Sequence, residues 1–118
     1  MKITIFLDPL PQSRPRFSNG RAYEEKRLKE YKEVLKWCFL SKMAGTPPTP
    51  APVAVDIKFF RKYKASSRRY GDCDNLAKAV MDACTGVLWL DDSQVVRLTA
   101  AKYTSNFPRV EIDIAILD

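Results

Sequence analysis

Histidine is absent from all 118 residues, and no other absence in this chain removes as much chemistry. No Ser-His or Cys-His pair can form, so imidazole-activated nucleophiles are excluded. A Cys/His zinc site is close to excluded as well. The three cysteines, Cys38, Cys73 and Cys84, are an odd count with no C-x-x-C spacing, and they read as small apolar residues or free thiols. No apolar run approaches the roughly 18 residues of a membrane span. The opening MKITIFLDP has one lysine and too short an apolar stretch for a signal peptide, so it reads as a strand and the protein as cytoplasmic. There is no internal repeat and no low-complexity segment.

The pattern that is present predicts one α+β domain over residues 1–118, a mixed β-sheet packed with two helices in the order β-α-β-α-β-β. KITIFL (2–7) alternates as a strand, and Asp8-Pro9 ends it. The arm that follows, residues 9–23, holds Pro9, Pro11 and Pro15, which predicts a stiff extended loop without strand pairing. A helix is expected from Glu24 to Met43, with Leu28, Tyr31, Leu35 and Cys38 inward and Phe39 beside them. Strands follow at 53–60, 94–103 and 110–117, the last two joined by a turn at 106–108 and expected to be antiparallel neighbours. The second helix is expected from Asp74 to Thr85, stopped at Gly86.

Charge is what singles out a function. The net charge of +6 points to an acidic partner. Arg14, Arg16 and Arg21 punctuate the arm with no acid among them, a set of planar guanidinium groups suited to phosphates. The stretch RKYKASSRRY (61–70) carries Arg61, Lys62, Lys64, Arg68 and Arg69, with Tyr63 and Tyr70 as aromatics able to stack on unpaired bases. It runs directly into the acidic part of the chain. Asp72 and Asp74 open the second helix, and Asp91 and Asp92 follow it.

Each of these aspartates has an ordinary structural explanation. Asp72 can cap the helix, Asp74 can pair with Lys78 one turn on, and Asp91 and Asp92 can be turn residues. Taken together, four carboxylates around one short helix suggest a cation between them, and oxygen donors favour Mg2+, with Mn2+ as substitute. A D-x-D pair at a helix start and a D-D pair entering a strand can converge at one end of a sheet. Such a site could activate water for phosphodiester hydrolysis, with Lys78 offsetting charge in the transition state.

DCDNLAKAVMDA followed by WLDDSQVV resembles the RusA family of Holliday junction resolvases. The shared pattern is D-x-D-N-x-x-K-x-x-x-D and then D-D-x-Q-V. The arm PLPQSRPR with Tyr23, the length and the element order are similar too, so the likeness spans the chain. It implies a RusA-like metal-dependent endodeoxyribonuclease acting in DNA recombination and repair. Such an enzyme is a homodimer that resolves four-way junctions by paired symmetric nicks, with no nucleotide cofactor. It implies Asp72, Asp74 and Asp92 as catalytic metal ligands, Lys78 as the catalytic lysine and Asp91 as a further candidate ligand. Asn75, Asp82 and Gln94 are supporting, with Asp82 pairing with Lys78 or another base and Gln94 orienting a carboxylate. Cys84 stands where the family more often has leucine, and a small apolar residue still fits the buried stripe. The alternatives are a less selective branched-DNA or flap nuclease, a non-catalytic junction-binding protein, and an anion- or metal-binding module unrelated to DNA. The dimer surface is expected at the long helix, through Trp37 and Phe39, or at a strand edge.

Overall fold

In the computed structural model, residues 1–12, 16–18, 21–23 and 25–117 are described, with only the backbone of 16–18 and 21–23. Eight hydrogen-bonded elements and one 3-10 turn follow in order: β1 (Lys2–Ile5), β2 (Arg16–Ser18), β3 (Arg21–Tyr23), α1 (Lys26–Met43), β4 (Val53–Arg61), α2 (Cys73–Cys84), a 3-10 turn (Asp92–Gln94), β5 (Val95–Thr104) and β6 (Arg109–Ile116). Apart from the β2–β3 pair, the order is the expected β-α-β-α-β-β. β2 and β3 form a two-stranded antiparallel ribbon, which corrects the reading of the arm as unpaired. Its prolines all precede Arg16, and the sequence between the strands is Asn19-Gly20, the dipeptide that most favours a two-residue hairpin.

The main sheet has the order β1-β6-β4-β5. β4 is its most buried strand, with Val53, Val55, Ile57 and Phe59 at or near zero exposure. β5 runs parallel to β4, whereas β6 and β1 are antiparallel to their neighbours. β5 and β6 are therefore not adjacent, which corrects the expected hairpin at 106–108. The reason is connectivity. A parallel neighbour needs a crossover, and α2 supplies one between β4 and β5. β6 then takes the free side of β4, and the short 105–108 link steps over the end of β4, anchored by the Ser105 N–H on the Arg61 carbonyl (2.8 Å).

Both helices contribute to one core. α1 buries Leu28, Tyr31, Leu35 and Phe39, and α2 buries Leu76, Ala77, Ala79, Val80, Ala83 and Cys84. Phe39 is thus core and not surface, while Trp37 is 72% exposed. Trp89, fully buried, closes the core at the C-terminal end of α2. None of the described helices is long and apolar enough to cross a membrane.

Candidate active site

α2 begins where three segments meet. Arg61, at the end of β4 and 4% exposed, donates from Nε and Nη2 to the two carboxylate oxygens of Asp8, each at 3.0 Å. Its Nη1 donates to the Tyr70 carbonyl at 2.7 Å and the Arg69 carbonyl at 3.4 Å. One guanidinium thus fixes the root of the arm, the end of the basic loop and the approach to Asp72. Tyr70 is itself buried. Its hydroxyl lies 2.7 Å from the carbonyls of Phe59 and Tyr103 and accepts from the Tyr103 N–H at 3.2 Å. Burial raises its pKa. Tyr70 therefore wedges between the ends of β4 and β5, and it is not available to stack on bases as the sequence had suggested.

Gly71 follows with φ +97, and a Cβ there would lie 2.9 Å from Pro11 Cγ. Only glycine supports both the left-handed backbone and this close approach. The Gln12 N–H donates to the Asn75 carbonyl at 2.8 Å, so the arm is seated on the first turn of α2 through backbone atoms of Asn75. Lys102 Nζ, from β5, donates to the Gly71 carbonyl at 3.0 Å.

The first acidic pair stands on this platform, with Asp74 favourably placed for the helix dipole but neither carboxylate bonded among the described residues. Asp72 is the N-cap residue of α2, yet its side chain makes no capping hydrogen bond. Asp74 lies in the first turn, exposed, and Lys78 is exposed one turn on. Among the described residues, no ion pair joins Asp74 to Lys78, and none engages Asp72. Both ordinary explanations of these carboxylates fail. Asp82 differs: its carboxylate accepts from Lys32 Nζ at 3.0 Å and ties α2 to α1.

The second acidic pair is occupied. Asp91 caps the 3-10 turn, accepting from the Ser93 N–H at 2.9 Å. These bonds to Ser93 hold its carboxyl below the usual range. Gln94 completes the capping box. Its Oε1 accepts from the N–H groups of Leu90 (2.9 Å) and Asp91 (2.8 Å), and its Nε2 donates to the carbonyls of Thr49 (2.7 Å) and Ala51 (2.8 Å). Gln94 therefore orients the Asp91 backbone and the proline-rich connector, not a carboxylate. Asp92 Oδ1 is hydrogen-bonded to the Thr85 hydroxyl, and Trp89 Nε1 donates to Thr85 Oγ1 at 3.2 Å and to Asp92 at 3.4 Å. Burial, with Asp92 nearby, pushes the Cys84 thiol well up, so it is a packing group and not a nucleophile.

Thr85 is the C-cap of α2. The two acidic pairs therefore flank opposite ends of a 12-residue helix, separated by roughly 18 Å of helix axis at ~1.5 Å per residue. They do not converge within one chain. Among the described residues no three acidic or cysteine side chains gather closely enough to hold one metal ion. The Asp72–Asp74 pair alone still fits Mg2+, which is commonly held by one or two carboxylates together with water and substrate phosphate.

The basic loop is well placed for that phosphate. Lys62, Lys64, Arg68 and Arg69 are exposed and have no acidic partner among the described residues. Turn hydrogen bonds from Ser67 N–H to the Lys64 carbonyl (2.9 Å) and from Tyr70 N–H to the Ser67 carbonyl (3.1 Å) shape the loop as it runs into Asp72. Arg14 lies outside the described residues, and the side chains of Arg16 and Arg21 do too; their strands belong to the β2–β3 ribbon.

Two comparisons bear on the whole arrangement. The chain is 33% identical over 135 aligned positions to the Bacillus subtilis (strain 168) protein described as uncharacterized protein YqaN, across 97% of this chain and 94% of that protein. Residues 7–115 match the family model of endodeoxyribonuclease RusA. That span takes in the arm root, the basic loop and both acidic pairs, and the chain belongs to the RusA family of endodeoxyribonucleases, which act at branched DNA junctions.

Proposed function

We propose that residues 1–118 form a divalent-metal-dependent endodeoxyribonuclease that resolves four-way DNA junctions by paired symmetric nicks, as a homodimer. The observation that carries this reading is the idle state of Asp72 and Asp74. Two exposed carboxylates, two residues apart, are held on a rigid platform and, among the described residues, make no hydrogen bond or ion pair. Like charges brought together without a structural return point to a cation.

Asp72 and Asp74 would hold Mg2+, or Mn2+ in its place. The ion supplies a polarised water and charge neutralisation at the phosphate. Lys78, spaced for the same side of α2 as Asp74, offsets negative charge on the transition state or the leaving oxygen. Arg14, Arg16 and Arg21 on the arm and Lys62, Lys64, Arg68 and Arg69 on the loop hold the DNA backbone. Asp92 cannot join its own chain's Asp72 and Asp74, being at the other end of α2. Its place as a third ligand would therefore need a second copy of the chain, as the homodimer reading provides. A two-fold protein also suits a substrate with two-fold related strands.

The test is cleavage of a labelled synthetic four-way junction beside linear duplex of the same sequence, with Mg2+, Mn2+ or EDTA. Paired symmetric nicks in the junction alone, abolished by EDTA, are expected. Junction binding without nicks in either metal would replace the enzyme with a binding protein. Equal cutting of flaps or other branched DNA would make it a less selective nuclease.

A further inference from the structure

β4 has two faces. Val55, Ile57 and Phe59 enter the core, so Phe60 turns to the side of the sheet that the helices leave open. There it stands between two cross-strand neighbours, Tyr103 of β5 and Arg109 of β6. The Phe60 and Tyr103 rings stack, with centroids 5.1 Å apart and planes 19° from parallel. The Arg109 guanidinium lies over the Phe60 ring at 3.7 Å, and Glu111 offsets its charge at 2.7 Å. One continuous stack therefore crosses three strands and ends at Tyr103. β5 is an edge strand of the sheet among the described residues, and Tyr103 is 42% exposed. Cross-strand packing accounts for Phe60 and Arg109. It does not account for the exposed aromatics gathered at the same end of the sheet, Tyr103, Phe107 (70%) and Tyr63 (37%). The Phe107 carbonyl accepts from Arg109 Nη1 at 3.0 Å, and the Tyr63 carbonyl, in the basic loop, accepts from Thr104 Oγ1 at 2.9 Å.

We propose that this end of the open sheet face is a stacking surface for an unpaired DNA base, with Tyr103 as the exposed last ring of the stack. This deepens the branched-DNA reading above and rests on it. The occupant follows from shape and charge together. The rings ask for a planar group. The cations of the adjoining loop, Lys62, Lys64, Arg68 and Arg69, are exposed without an acidic partner among the described residues, so they ask for an anion. A nucleotide strand supplies both, its base on the aromatic ring and its phosphates on the cations. A base inside a duplex has both faces covered by its neighbours, so the surface takes a base that has left the stack, as at a branch point. Farther along the same face Asp56 and Asp113 stand opposite each other on β4 and β6, and phosphate would be repelled there. The stacking surface is therefore confined to the end beside the basic loop. Lys102, the residue before Tyr103, holds the Gly71 carbonyl at 3.0 Å, which puts Tyr103 and Asp72 at the same end of β5.

The test is made in EDTA, so that binding is read without cleavage. The probe is a fluorescein-labelled oligothymidylate of about ten nucleotides, beside a blunt DNA duplex, each followed by fluorescence anisotropy at low salt. The unmodified protein is expected to bind both. Tyr103→Ala is expected to weaken oligothymidylate binding about 10-fold and duplex binding less than about 2-fold, and Tyr103→Phe to keep both. Should Tyr103→Ala misfold by circular dichroism, photocrosslinking of the unmodified protein replaces it. The same oligonucleotide carrying 5-iodouracil is then expected to leave its adduct on Tyr103, Tyr63 or Phe107. An unmodified protein that does not bind oligothymidylate would overturn the proposal. So would a folded Tyr103→Ala that loses nothing or loses both ligands alike, or an adduct confined to other residues such as Trp37. The nuclease reading fails separately: a protein that holds the single strand through Tyr103 and cuts no junction in Mg2+ leaves the stacking surface standing.

Discussion

The two acidic pairs have the same composition and opposite employment. Asp91 and Asp92 are absorbed by the fold: one caps a 3-10 turn, and the other is bound by Thr85 and Trp89. Asp72 and Asp74 are exposed and, among the described residues, unbonded, on a backbone held by Arg61 and Gly71. Adjacent acids in a sequence are therefore not equivalent evidence of a site. What distinguishes Asp72 and Asp74 is rigid support beneath carboxylates that have no bonded partner among the described residues.

The sharpest way to break this contrast is to neutralise a carboxylate in each pair. Asp74→Asn is expected to lower junction nicking at least about 1000-fold, close to 4 kcal/mol of transition-state stabilisation. Thermal stability should be unchanged or slightly raised, since a like-charge neighbour is removed. A matching loss of stability, seen in a thermal melt, would return Asp74 to the fold. Next comes the platform. Arg61→Ala removes the bonds to Asp8 and to two carbonyls, and is expected to cost about 3 kcal/mol in urea unfolding. Gln94→Ala, on the other side of the comparison, removes its bonds to four backbone groups and is expected to cost about 1–2 kcal/mol. Its nicking defect should be milder than its stability defect.

The smallest effect concerns pH. The Asp91 carboxyl is held below its ordinary value by Ser93, so it contributes stability that is present above the unfolded pKa near 4 and lost as pH falls through the folded pKa. Asp91→Ala should lower the Tm slightly at neutral pH, and the difference should vanish in acid. A difference that persisted below pH 3 would mean the cap does not depend on charge.

The element order, the helix limits to within two residues and the acidic spacing were legible in the sequence because each follows from local periodicity or local composition. Sheet order was not. Nothing local in 94–117 tells that β4 intervenes between β5 and β6; that follows from the crossover through α2. The platform was equally hidden, since Asp8 and Arg61 are 53 residues apart, Asp8 reads only as a strand end and Arg61 as one more cation of the basic loop. Tyr70 looked like part of a basic-aromatic surface because burial of one ring cannot be read from its neighbours. The separation of the acidic pairs was missed for a related reason: a short sequence distance across a 12-residue helix is a long distance in space.

Nicking of a labelled four-way junction in Mg2+ by Asp74→Asn and Asp91→Ala, side by side, tests the central contrast most directly. Nicking lost in Asp74→Asn with junction binding retained, and largely kept in Asp91→Ala, is the expected result. Equal activity in the two variants would contradict it, because Asp74 would then be no more catalytic than Asp91, which the fold employs as a cap.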